Sequence, residues 1–233
     1  MSHGHTKIAS KGFCIYCMNS NLTLTDEHIV PFSLGGQHVI LKASCLNCAD
    51  ITKKFEQDIA RELWGDARIS YNALSRRKKQ KETHIKLPLP HRTATSLKIP
   101  YNEYPAAFIF YKMHPAGYLQ GLAEQTDISG AWQLTAITDE FKKNEFLLKY
   151  PNQLTIKFRH VPNSFGRLLA KIGYGNALCT LNPTDFNPIC VPYILGHKKN
   201  ISYIVGSNFD CTPPTIGIGY KLSTGGIDRK SVV

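Results

Sequence analysis

Two C-x2-C pairs, Cys14/Cys17 and Cys45/Cys48, constrain this chain more than any other feature. Two residues between cysteines let both sulfurs of a pair turn toward one ion. Two such pairs complete the tetrahedral four-sulfur shell of a structural Zn2+. Twenty-seven residues separate the pairs, so the insert must itself be folded. No thioredoxin-like strand-helix-strand pattern surrounds either pair, which argues against a redox C-x-x-C. A closed site of this kind staples a segment too small to build its own core. The other three of the seven cysteines, Cys179, Cys190 and Cys211, lie among apolar residues and read as buried free thiols.

The local pattern around the pairs predicts strand, turn, strand, helix. Gly35-Gly36 marks a turn between two extended segments, about 28–33 and 38–44. After Cys48, the residues Ile51, Phe55, Ile59 and Leu63 recur every four positions and make one apolar helical stripe. Asp50 is placed to cap that helix and Gly65 to stop it.

Between the pairs runs Thr25-Asp26-Glu27-His28-Ile29-Val30-Pro31-Phe32-Ser33-Leu34-Gly35-Gly36. Carboxylates before a histidine, then a proline, a Gly-Gly turn, a C-x2-C pair and a helix resemble the ββα-metal core of HNH endonucleases. The variety resembled has a four-cysteine zinc frame. The resemblance covers about residues 14–64, and what it implies is metal-dependent hydrolysis of DNA phosphodiester bonds. In that family the acidic residue before the histidine binds a divalent ion and the histidine activates water. Those roles map onto Glu27 and His28, with Asp26 open as a co-ligand. The chemistry suits the residue types. An imidazole takes the proton of the attacking water. A hard cation, Mg2+ or Mn2+, takes oxygen ligands and stabilises the leaving 3′-oxygen. The chain departs from the pattern twice. No Asn lies between Gly36 and Cys45, where His38 is the nearest polar residue, and the position after the second pair is Ala49. Asp50 is preferred as the third ligand, with Thr52 and Glu56 flanking the apolar stripe on the same side. The departures support an alternative: a non-catalytic, zinc-containing DNA-binding protein on a degenerate HNH scaffold. A further alternative places the functional core in residues 101–233 and leaves the zinc region as a folding staple.

Charge agrees with a polyanionic partner. The formal net charge is +11, and four thiolates on one Zn2+ lower it to about +9. Residues 53–98 carry twelve Lys or Arg against five Asp or Glu, densest at Arg76-Arg77-Lys78-Lys79-Gln80-Lys81. This run is the candidate phosphate contact; a solvated face is the other reading. Pro88, Pro90 and Pro100 argue against regular structure nearby. No apolar run of about eighteen residues exists to span a membrane, and the polar first residues lack the core of a secretory signal, so a cytoplasmic protein is expected.

The whole reads as α+β: a zinc-stapled ββα-metal module at 1–64, a basic connector at 65–100, and a mixed α/β domain with a mainly antiparallel sheet at 101–233. That last part shows no nucleotide loop and no nucleophile elbow, and positioning of substrate is its expected role. Strands are predicted at 106–113, 154–160, 201–207 and 216–222. A helix is predicted at 163–178, capped by Ser164 and broken by Gly173 and Gly175. One ββα-metal site cuts one strand at a time, so a homodimer fits double-strand cleavage.

Overall fold

The computed structural model describes residues 6–71, 73, 83–89 and 92–207. It is an α+β protein with one three-stranded sheet and two hairpins among the described residues. The three-stranded sheet is built from β1 (Thr6–Ile8), β2 (Leu24–His28) and β3 (His38–Cys45) in the order β1-β3-β2. β2 pairs antiparallel with β3 and β1 adds in parallel. The first strand of the motif ends at His28 rather than beginning there. Pro31 cannot donate to a ladder, and residues Phe32–Leu34 close instead into a 3-10 turn.

Glycine is required at both positions of that turn. Gly35 has φ +88°, and a Cβ on Gly36 would stand 1.7 Å from the carbonyl oxygen of Val30. On the partner strand the β2–β3 register slips between Thr25 and Glu27, and Lys42 takes a left-handed φ of 44°. The Asp26 carboxylate accepts the Lys42 amide at 2.9 Å and so holds the bulge.

Helix α1 (Leu46–Asp58) follows β3 directly, with Cys45 at its N-cap. Asp50 therefore lies inside the helix, exposed, and does not cap it. The predicted stripe is the buried face: Phe55, Ile59 and Leu63 are each 2% exposed or less. Gly65 does not end the helical run. Residues Ile59–Leu63 widen into a π turn closed by the Trp64 amide on the Ile59 carbonyl, and α2 (Gly65–Ser70) starts at once. Trp64 is anchored there by its indole N–H, which donates to the Ile109 carbonyl at 2.6 Å.

The segment expected to be irregular is a hairpin, β4 (His84–Leu89) with β5 (Arg92–Pro100). In a two-stranded ribbon every strand is an edge. Pro88 sits at a register shift and Pro100 at a strand end, where a missing N–H costs little. Pro90 lies outside the described residues. A second hairpin joins β6 (Phe108–Lys112) to β7 (Gln133–Ile137), and α3 (Glu140–Lys149) follows it.

Helix α4 (Pro162–Ala177) matches the predicted helix, but its punctuation differs. Pro162 opens it, while the Ser164 hydroxyl donates to Asp58 at 2.7 Å instead of capping. Gly173 and Gly175 stay helical. A Cβ on Gly175 would come within 3.1 Å of Ile29, so this glycine permits close approach of α4 to the loop after β2. The short α5 (Val191–Ile194) completes the described elements.

Two predicted strands are absent. Residues 154–160 form no regular element and pair with no described strand. They are held by the Tyr104 hydroxyl donating to the Thr155 carbonyl and by the Arg159 amide on the Glu62 carbonyl. Residues Ile201–Tyr203 form a 3-10 turn, because Ile201 fills the notch over Gly166 and burial decides over β-propensity. The segment 216–222 lies outside the described residues. Cys179 is exposed and Cys190 half-buried, so the expectation of buried thiols fails for Cys179; Cys211 lies outside the described residues.

The larger apolar core is shared along the chain. Ile15, Ile29, Ile40, Phe55 and Ile59 pack in the same cluster as Ile109, Phe165, Leu168 and Tyr174. A smaller cluster joins Ala67, Ile85, Leu87, Ile99, Tyr104 and Phe146 beneath the first hairpin and α3.

Candidate metal and catalytic site

The zinc frame is assembled as its spacing predicts. Cys14 and Cys17 sit on a turn in which the Met18 amide bonds the Cys14 carbonyl and Met18 takes φ 60°. Cys45 ends β3 and Cys48 lies in the first turn of α1. The four sulfurs all lie within 4.8 Å of one another, with Cys17 and Cys45 3.8 Å apart. Zn–S bonds of about 2.3 Å in a tetrahedron require sulfur edges of about 3.8 Å, so the donor set fits the ion. The Cys45 amide also donates to the Cys14 sulfur at 3.4 Å, as amides do to a metal-bound thiolate. Burial, helped by the neighbouring sulfurs, pushes the Cys48 thiol well up, which a bound dication would reverse.

His28 is the last residue of β2, half-buried, with its ring edge-on to Phe32 at 5.9 Å. Pairing with Val39 and the Ile29 amide on the His38 carbonyl fix its backbone. Arg68 ties the adjoining Gly-Gly turn to the helix beyond, donating to the Ser33 carbonyl at 2.8 Å and the Ala60 carbonyl at 2.9 Å. A cleft beside that turn is lined by Ser33, Leu34, Gly35, Trp64, Arg68 and Phe108.

The carboxylates are arranged differently from the predicted set. Glu27 is buried and its carboxylate meets the Lys171 ammonium at 2.7 Å. The same ammonium meets Glu56 at 2.7 Å and donates to the His28 carbonyl at 2.6 Å. Burial alone would push Lys171 down, but the two carboxylates outweigh it and hold its pKa above the ordinary lysine value. Burial also pushes the Tyr16 hydroxyl well up, with the charges of Glu27 and Glu56 adding to the effect. Asp26 faces the Lys42 amide and Asp50 is exposed on α1. Among the described residues, the four cysteines are the one group of three or more metal-ligating side chains that converges. Asp26, Glu27 and Asp50 do not assemble into a shell for Mg2+ or Mn2+. His38 is exposed at the start of β3. The run Arg76, Arg77, Lys78, Lys79 and Lys81 lies outside the described residues.

The participation of Lys171 was not read from the sequence, although a signal was present. It falls three residues after Leu168 and six after Phe165, on the buried face of α4, where a lysine demands a partner.

Compared with known proteins, residues 14–63 match the family model described as HNH endonuclease. These residues hold the zinc frame, β2, β3 and the helix through its π turn. No curated protein and no solved structure gives a significant match to the chain. Among the described residues no helix is long and apolar enough to cross a membrane.

Proposed function

We propose that the chain is an HNH-type endonuclease that hydrolyses DNA phosphodiester bonds, with His28 as the general base. The observation that carries this reading is the position of His28. It ends β2 beside the Gly35-Gly36 turn, within a segment that matches the HNH endonuclease model. An imidazole at a strand end, its backbone tied on both sides, is held in place to take a proton from an attacking water. The net charge of +11 supplies the attraction for a phosphate backbone. The run from Arg76 to Lys81 is the contact we assign to it, and residues 101–233 position the substrate. Two copies acting together would cut both strands.

The test is incubation of zinc-loaded protein with supercoiled plasmid in Mg2+, in Mn2+ and in neither. Wild type is expected to give nicked or linear product. His28→Ala is expected to cut slower by about a hundredfold or more, with zinc content unchanged. Equal cutting by the variant would remove His28 from the reaction. A second reading, DNA binding without cleavage, is favoured by one observation: Glu27 is already paired with a lysine. Salt-sensitive binding with no product under any condition would select it.

A further inference from the structure

We propose that Lys171 is the resident cation of the Glu27–His28 site, with its ammonium standing in the position that a divalent ion would otherwise take. Three oxygens converge on its Nζ: one from Glu27, one from Glu56 and the carbonyl of His28. Two carboxylates and a carbonyl form a donor set for a hard cation. An ammonium has three N–H donors, and here each has an oxygen acceptor. The side chain of Lys171 is 2% exposed, and that of Glu27 is 9% exposed. A second cation entering beside this ammonium would meet like charge in a place with little water to screen it. Displacing the ammonium would strand it among Phe165, Leu168 and Tyr174, the buried residues of its own helix face. Neither of the other two candidate carboxylates competes for the role, since Asp26 is engaged at the β3 bulge and Asp50 stays at the surface.

The lysine comes from α4, more than a hundred residues beyond the segment that matches the HNH model. The residue that fills the cation position is therefore supplied by the remainder of the chain. Through the His28 carbonyl and the Glu27 carboxylate it also fixes the end of β2, so Lys171 is a positioning residue for His28. The assignment rests on reading Glu27 as the metal-facing position of an HNH-type module, but its test does not depend on cleavage.

The test is titration of zinc-loaded full-length protein with Mn2+, followed by electron paramagnetic resonance of the free ion. Wild type, Glu27→Gln, Glu56→Gln, Lys171→Met and the double variant Lys171→Met/Glu27→Gln are compared. Wild type is expected to show no Mn2+ uptake that either glutamine substitution removes. Lys171→Met is expected to gain one stoichiometric site, and the double variant to lose it. Uptake by wild type that disappears in Glu27→Gln or Glu56→Gln would overturn the proposal. So would a folded, zinc-retaining Lys171→Met that gains no site. If Lys171→Met fails to retain zinc and fold, the wild-type and glutamine arms decide the matter alone.

Discussion

At the scale of single residues, the site is organised by a charge that the local motif does not contain. Glu27 and Glu56 lie on β2 and α1, and the lysine between them lies on α4. Removing one partner of such a group leaves the others buried without compensation, which costs more than the attraction itself contributed. Lys171→Met is therefore expected to lower unfolding stability by about 3 kcal/mol, measured by urea denaturation at neutral pH. Glu56 retains 23% side-chain exposure, so part of its charge would be recovered by water. Glu56→Gln should accordingly cost less than Glu27→Gln in the same measurement. A finding that Lys171→Met is neutral would mean the three groups separate readily in solution.

At the scale of elements, the contact between α4 and the loop after β2 sets where His28 stands. Gly175 is what allows it, because a side chain there meets Ile29 at about van der Waals contact or closer. Gly175→Val is expected to push the helix from the loop and destabilise the protein by about 1–3 kcal/mol, read from thermal unfolding. Because Ile29 follows His28 directly, the same variant should also slow the proposed cleavage, with zinc content unchanged. The zinc frame belongs to this scale too. Its four sulfurs bring a turn, a strand end and a helix start within reach of one ion, at the edge of a core they share with the later helices.

At the scale of the whole molecule, the zinc frame and the later helices belong to one cluster. Cys14, Cys45 and Cys48 pack in the same core as Phe165, Leu168 and Tyr174, and the Tyr174 hydroxyl donates to the Ile15 carbonyl inside the first cysteine knuckle. Stripping zinc with a strong chelator should therefore disturb α4 as well as the knuckles. Calorimetry is expected to show the main transition shifting to lower temperature as a unit, with loss of near-ultraviolet circular dichroism. Two transitions, one zinc-sensitive and one not, would show that the zinc region unfolds independently.

Local spacing carries the part of this fold that is legible in the chain alone. The four cysteines, the Gly-Gly turn, the buried stripe from Phe55 to Leu63 and the helix at Pro162–Ala177 all depend on residues close together in the chain. Their periods and backbone demands are therefore legible without a partner. Which distant groups meet depends instead on how the elements pack. Asp50 is preferred from the sequence as a residue of the helix start, next to the Ala49 position, yet the helix starts earlier, at Leu46, and leaves Asp50 exposed within it. Glu56, farther along the helix, is the carboxylate brought to Glu27, and the group between them is the ammonium of Lys171. Residues 154–160 and 201–207 failed as strands for the same reason. A strand needs a neighbour and a buried face, and neither is encoded in its own seven residues.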